Sequence, residues 1–556
     1  MSPSTLTRIS VDTDPSIAEC VRHFPNHLHS LRLKEFPVSV DIDPSIAEYV
    51  RRWATTRSDA PCMSCDNVTL TWGELHDRAS RLAHGLAETG VGPQDRVVFL
   101  DKNNLEFFEI TVGSAMAGAV TAAVNWRLAP REMLQIINHS TAKVLFLGEE
   151  FVEQYEQFCD EMTTVEKVVV IGKAPGLESY EDWLERHVAK DPLVPVRSDE
   201  TAMQMYTSGT TGLPKGVLFS NRAVLATEGM AEVLRVDETS TLLISMPVFH
   251  SAGASLGMLG IRTGAHSVIA RDAAPATLLS LIARWRITMT TLVPAVLKML
   301  IESPEINQHD FSSLDTIAYA ASPISPELLR RCLEIFDARF LQIYGLTETQ
   351  SATNLLPEDH LDPEHPDRIL SVGRAIPGVT LRVVDPATGD DVDDDVVGEV
   401  WIKAPTNMHG YWRNEEATRD ALTDDGFVRT GDGASMRDGY LYLRDRLKDM
   451  IVSGAENVYP IEIENILIEH PAINDIAVIG VPSNRWGETV KAMVVLNTGA
   501  TLTEDEVIAY ARANLAAYKC PTSVEFLDEL PRNPSGKILK RVLRLPYWND
   551  VERHIG

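Results

Sequence analysis

Cysteine is scarce: Cys20, Cys62, Cys65, Cys159, Cys332 and Cys520 are the only six in a chain of 556 residues. That density excludes a disulfide-stapled scaffold. Cys62 and Cys65 form one CxxC, but no second Cys/His pair stands at zinc spacing, so no metal or redox role is expected of them. Long apolar runs are missing too, and with them a membrane-spanning segment. The opening MSPSTLTRIS lacks the apolar stretch of a secretory signal. Positive charge is in deficit, with 51 Lys and Arg against 79 Asp and Glu, a formal net charge of −28. This balance argues against nucleic acid or an anionic membrane as the main partner. A reduced, cytoplasmic setting is the expectation, with an oligomer left open.

The chain is too long for one hydrophobic core, so two or more domains are expected. SVDTDPSIAECVR (10–22) returns as SVDIDPSIAEYVR (39–51), changed only at Thr13/Ile42 and Cys20/Tyr49. Two short copies do not make a solenoid. Residues 1–40 read as an extension, with the second copy opening the folded part. From about 60 to 445 strands and helices alternate, which predicts mostly parallel sheets covered by helices. Residues 201–208 read as a strand entering a glycine-rich loop, and 220–234 as one helix with Ser220 at its N-cap. The apolar run 112–124 reads as a buried helix. Strands are expected at 315–320 and 338–345, the first followed by a helix with Ser325 at the N-cap and Pro326 at N1. Residues 379–404 read as an antiparallel pair around an acidic turn. After a charged boundary at 444–460 comes a compact αβ pattern. It has strands at 472–481 and 490–497 and a helix opened by a Thr503/Glu506 capping box.

The strongest chemical signal is YTSGTTGLPKGV (206–217). Gly209, Gly212 and Gly216 permit the backbone angles with which a loop turns its N–H groups toward phosphate oxygens. Thr207, Ser208, Thr210 and Thr211 add donors, and Lys215 a charge. The loop lacks the G-K-[ST] ending of a Walker A motif, and no G-x-G-x-x-G fingerprint accompanies it.

From about residue 50 to 545 the chain resembles the adenylate-forming (AMP-binding) superfamily, and within it the fatty acyl-CoA synthetases and acid–CoA ligases. The resemblance rests on YTSGTTGLPKGV, PVFHSAG (247–253), YGLTET (344–349), RTGD (429–432), RDRLKDMI (444–451), SGAENVYP (453–460) and PRNPSGKILKR (531–541), in that order. It implies an α/β fold with a large, multi-sheet N-terminal domain (41–447), a smaller mobile C-terminal lid (448–546) and a tail (547–556). It implies that Tyr344 and Gly345 meet adenine beside the turn Ala321-Ser322-Pro323. Thr347 and Glu348 would offer oxygen ligands to Mg²⁺ bridging ATP phosphates. Asp432 and Arg446 would hold the ribose, and Lys537 would bind the carboxylate and α-phosphate oxygens. His250 would line the passage between acyl pocket, ATP and thiol, with Gly253 keeping room for substrate. Lys448 would be the hinge of the lid, and Gly454 would lie on the pantetheine route of coenzyme A.

Two departures stand out. Ser453-Gly454-Ala455 replaces the family's Ser-Gly-Gly, and Ala320-Ala321-Ser322-Pro323 replaces its Gly-Gly-Ala-Pro. Met230, Met246, Phe249, Met258 and Leu346 suggest an apolar acyl pocket. The expected activity is ATP-dependent formation of an acyl-AMP from a small-molecule carboxylic acid, then of an acyl-CoA. The alternative is transfer of the same acyl-AMP to an amine or a carrier protein.

Overall fold

The structure, a computed structural model, describes residues 45–207, 214–322, 324–360, 362–446, 449–453, 456–483, 487–532 and 538–548. All of these fall within one compact unit, Asp43–Gly556. Among the described residues the strands form four sheets.

The nine-stranded sheet has a parallel centre. Thr241–Ile244 lies between His266–Ile269 and Met289–Leu292, and Thr316–Ala320 and Arg339–Leu346 continue it. Gln350–Leu355 then turns back antiparallel. The eight-stranded sheet is built on parallel strands Ala142–Gly148, Arg96–Leu100, Val120–Ala123 and Thr201–Thr207. Its far edge is an antiparallel hairpin, Thr201–Thr207 with Lys215–Ser220, extended by the short strand Gly410–Tyr411. Parallel strands are covered on both faces, which is why they read as continuous Val/Leu/Phe runs rather than alternating ones.

Helix Leu105–Met116 touches strands of both large sheets. Apart from Glu106, all its residues are buried, as expected of a helix apolar all round. Asn104 caps it by accepting from the Phe107 N–H at 2.9 Å. Helix Ser251–Thr263 packs against it through Gly257, where a Cβ would overlap the ring of Phe108.

A four-stranded antiparallel sheet contains Thr380–Val384 and Gly398–Lys403, paired as expected from 379–404, followed by Val428–Arg437 and Tyr440–Arg446. A smaller C-terminal αβ domain is built on Ile473–Ser483 and Gly487–Leu496, with Ser523–Phe526 parallel beside the latter. Its helix Glu504–Asn514 carries the expected Thr503/Glu506 capping box. The fold is thus α/β, with a large multi-sheet N-terminal part and a smaller C-terminal domain.

The second copy of the duplicated segment opens the described fold as helix Ile46–Thr56. Ser45 is its N-cap, Ile46, Ala47 and Val50 are buried, and Arg51 Nε donates to Asp191 Oδ2 at 2.6 Å. The first copy lies outside the described residues.

Three expectations need correction. The run 112–124 is not one helix: Leu105–Met116 ends at Gly118, whose φ is +71°, and Val120–Ala123 is a buried strand. Apolar content alone does not separate a buried helix from a buried parallel strand. Residues 220–234 form two helices, Asn221–Leu225 and Glu228–Leu234. Between them the Thr227 N–H turns to the Leu225 carbonyl at 2.7 Å, which breaks the i→i−4 ladder. Ser220 does cap the first, accepting from the Ala223 N–H. Finally, Gly253 does not hold space for substrate. A Cβ there would overlap the carbonyls of Met246 and Pro247, so the glycine lets the helix approach its own leading loop.

The contact between helices at Gly257 gives a test of the core. Phe108→Ala should destabilise the protein by about 3–5 kcal/mol, as for other buried Phe truncations. Urea denaturation checks this, and a loss below about 1 kcal/mol would show that the Leu105–Met116 helix is not a keystone between the sheets.

Candidate active site

Three loops leave the carboxyl ends of parallel strands in the nine-stranded sheet, where open α/β sheets present their ligand sites. One follows Thr241–Ile244 and leads to His250. The second follows Thr316–Ala320 and holds Ala321 and Ser322. The third follows Arg339–Leu346 and holds Thr347 and Glu348.

Ala321 has φ +71° and is exposed together with Ser322. A left-handed alanine costs roughly 1–2 kcal/mol, which explains why a glycine is usual in the resembling turn. Gly345 cannot be replaced in the same way, because a Cβ there would overlap the Gln350 carbonyl oxygen. Tyr344 reaches across to the four-stranded sheet. Its ring packs against that sheet's apolar cluster, and its hydroxyl donates to Asp432 Oδ2 at 2.8 Å. Asp432 is buried, and in the ladder it stands opposite Arg446, so the two expected ribose ligands are cross-strand neighbours in the backbone.

Glu348 reaches the other way, toward the hairpin Thr201–Thr207/Lys215–Ser220. Tyr411 Oη donates to Glu348 Oε1 at 2.8 Å, and the Met408 N–H donates to the Glu348 carbonyl at 2.8 Å. The next residue is held as well: Thr406 Oγ1 donates to the Thr349 carbonyl at 2.7 Å. Residues 409–412 are in turn bonded to the hairpin strand, His409 N–H to Leu218 O and Trp412 N–H to Gly216 O. Thr207 and Lys215 are paired across the mouth of the hairpin. The ammonium of Lys215 lies 4.8 Å from the centre of the Tyr411 ring. Trp412 is backed by Arg96, stacked at 3.3 Å. Burial pushes the Arg96 guanidinium down to about 10, which still leaves it charged at neutral pH.

His250 is the N-cap of helix Ser251–Thr263 and makes no side-chain capping bond. Its ring packs on Phe249 at 4.6 Å, and Nε2 is buried with no hydrogen-bond partner among the described residues. Burial and then the Arg127 cation lower its pKa from 6.5 to about 4. On the same helix Ser255 Oγ donates to Gln350 Oε1 at 3.0 Å, closing the helix onto the strand after the Glu348 loop.

The family described as AMP-binding enzyme matches residues 50–412, and its C-terminal domain matches residues 462–537. The chain belongs to the AMP-binding enzyme family. It is 38% identical over 505 residues to the fatty acid–[acyl-carrier-protein] ligase ScoC of Streptomyces coeruleorubidus, covering 89% of this chain and 95% of that protein. It is 35% identical over 495 residues to the long-chain-fatty-acid–CoA ligase FadD13 of Mycobacterium tuberculosis, with 88% and 95% covered. The crystal structure of ATP-bound MatB from Rhodopseudomonas palustris superposes with a TM-score of 0.82 at 27% identity, covering 91% of this chain and all of that one.

In this AMP-binding enzyme the structure brings Thr207, Lys215 and Glu348 together at the hairpin, and Tyr344 and Gly345 beside Asp432. Ser208, Gly209, Thr210, Thr211, Gly212, Pro323, Lys448, Gly454 and Lys537 lie outside the described residues, as does the side chain of Arg446. Cys62 and Cys65 are buried thiols, and burial pushes both pKa values up, Cys65 to about 12. No described helix is long and apolar enough to cross a membrane. Tyr411 and Trp412 were missed by motif reading. Their only sequence signal is an aromatic pair after Gly410, 63 residues from the Glu348 that Tyr411 contacts.

The neutral His250 has a consequence for stability. The unfolded chain takes up a proton at this ring below about pH 6.5, the fold only near 4. Its contribution is therefore complete above pH 6.5 and is lost as pH falls toward 4. His250→Asn should show a smaller drop in thermal midpoint between pH 7 and pH 4.5 than wild type. An equal drop would contradict the buried, neutral assignment.

Proposed function

We propose that this enzyme is an ATP-dependent ligase that activates an apolar, fatty-type carboxylic acid as its acyl-AMP and then forms the acyl-CoA. The observation that supports this best is the double reach of one loop. Tyr344 bonds to Asp432 on one side, and Glu348 bonds to the segment that braces the phosphate hairpin on the other. A nucleotide laid along that loop has its base and ribose at the first end and its phosphates at the second.

The roles proposed are those that the family resemblance implies, and each suits the chemistry of its group. Tyr344, Gly345, Ala321, Ser322 and Pro323 frame the adenine, and Asp432 with Arg446 takes the ribose hydroxyls. Thr207, Ser208, Gly209, Thr210, Thr211, Gly212 and Lys215 surround the β- and γ-phosphates. Thr347 and Glu348 offer hard oxygen donors that suit Mg²⁺. No group of three or more His, Cys, Asp or Glu able to hold a metal occurs among the described residues, which fits an ion that completes its shell with phosphate oxygens and water. Bound there, Mg²⁺ would neutralise phosphate charge.

In the first step a carboxylate oxygen of the acid attacks the α-phosphorus, and the bond to the β-phosphate oxygen breaks, releasing pyrophosphate. Lys537 offsets the charge that develops on the α-phosphoryl oxygens. In the second step the thiol sulfur attacks the acyl carbon, its proton leaves to solvent, and the bond to AMP breaks. As the family resemblance implies, Gly454 would lie on the thiol route and Lys448 would be the hinge that exchanges the groups needed in the two steps. His250, held neutral by burial, lines the passage between acyl pocket, ATP and thiol rather than acting as a general base. Buried Phe249, packed on its ring, and buried Met258 on the same helix favour an apolar acyl group.

A second reading, an acyl carrier protein as acceptor, is favoured by one observation: the 38% identity to a carrier-protein ligase. Pyrophosphate release over a panel of fatty, aryl and alicyclic acids tests the first step. Mass analysis of products with coenzyme A, a carrier protein or amines then separates the acceptors. Fatty acids with coenzyme A are expected to be best, and no pyrophosphate release with any acid would overturn the reading. Lys537→Ala should slow adenylation by about 10²–10³ while sparing thioester formation from supplied acyl-AMP. Equal loss in both half-reactions would remove Lys537 from the first step.

A further inference from the structure

The segment that follows the four-stranded sheet's second strand contains a residue with no assigned role that touches both ends of the phosphate site. Tyr411 is 9% exposed and sits on the strand Gly410–Tyr411, registered against Val217. Its own N–H is tied to Thr418 Oγ1 at 2.9 Å, and its neighbour Trp412 is fixed to Gly216 O and to the Arg96 face. The ring therefore has little freedom. From that fixed position its hydroxyl donates to one oxygen of Glu348, and its face carries the Lys215 ammonium.

We propose that Tyr411 is the positioning residue of the phosphate site, aiming the Glu348 carboxylate at a divalent cation and keeping it apart from Lys215. Two arguments support this. A carboxylate has about four acceptor positions, and a donor on Oε1 leaves Oε2 to face outward. Since the Glu348 carbonyl is already held by Met408 N–H, the hydroxyl fixes the remaining side-chain torsions. This is how groups behind a metal ligand commonly orient it. The second argument concerns charge. Among the described residues neither Glu348 nor Lys215 forms an ion pair, although Tyr411 meets both, Glu348 through its hydroxyl and Lys215 through its ring face. An ammonium and a carboxylate with nothing between them would neutralise each other. With the hydroxyl holding the carboxylate and the ring face holding the ammonium, the cation stays available to phosphate and the anion to metal.

The inference rests on reading Glu348 as a metal ligand, and its first readout is metal binding rather than turnover. Binding of Mn²⁺ to the full-length protein is followed by electron paramagnetic resonance in the presence of an ATP analogue with a methylene bridge between the α- and β-phosphates. Glu348→Gln serves as the reference for a lost ligand. Tyr411→Phe keeps the ring and removes the hydroxyl. It should weaken Mn²⁺ by about tenfold, leave binding of the metal-free analogue unchanged, and recover turnover at saturating metal. Tyr411→Leu removes the ring as well. It should also weaken the metal-free analogue, because Lys215 is then drawn to Glu348. Unchanged Mn²⁺ affinity in Tyr411→Phe would overturn the aiming role, and equal behaviour of the Leu and Phe variants would overturn the separating role. If Glu348→Gln itself binds Mn²⁺ like wild type, the metal-ligand reading fails, and the inference with it. A wild type that binds Mn²⁺ with the analogue but adenylates no acid would count against the proposed function alone.

Discussion

Among the described residues, Glu348 is held from the side of residues 406–411. Its side chain, its carbonyl and the carbonyl of the following residue are all bonded to residues 406–411, and that segment is bonded to the hairpin whose mouth is Thr207 and Lys215. The hairpin belongs to the eight-stranded sheet and Glu348 to a loop of the nine-stranded one, so the constraint is the stitching of two sheets at the place where phosphates are expected. The remaining geometry depends on it. Tyr344 has its reach to Asp432 because the loop 344–348 is anchored at its far end, and Gly345 must be glycine because the turn doubles back onto Gln350. Preorganisation of this kind matters in phosphoryl-type chemistry, where positioning and electrostatics supply most of the rate.

An acidic chain that handles a triphosphate looks contradictory until distances are considered. The net charge of −28 is spread over the whole surface, and at physiological salt its influence decays over roughly 8 Å. At the hairpin the local sign is the opposite. Lys215 and the buried Arg96 stand on either side of the Tyr411–Trp412 pair, and among the described residues neither has a carboxylate within ion-pair distance. Their positive charge is held by aromatic faces instead, which attract a cation without cancelling it.

The sequence made legible what depends on residues close together in the chain. The glycine and hydroxyl loop, the caps at Ser220 and Ser325, the Thr503/Glu506 box and the 379–404 hairpin are all local, and all the described ones stand where expected. Long-range relations were not readable. Tyr344 and Asp432 are 88 residues apart, Tyr411 and Glu348 63 apart, and no spacing rule links either pair. The helix break at Ala226–Thr227 depends on one γ-type turn, and the strand Val120–Ala123 was hidden inside an apolar run that suited a helix equally well. Gly253 was misread for a related reason: its small size serves a contact with its own leading loop, which only the fold reveals.

In the proposed reaction, a carboxylate oxygen of the substrate attacks the α-phosphorus of ATP at the Tyr344–Glu348 loop. The most direct measurement uses an acid labelled with ¹⁸O in its carboxylate, with ATP and coenzyme A, followed by mass analysis of the products. The account requires one ¹⁸O atom in the AMP and none in the pyrophosphate. Unlabelled AMP, or label in pyrophosphate or inorganic phosphate, would contradict it.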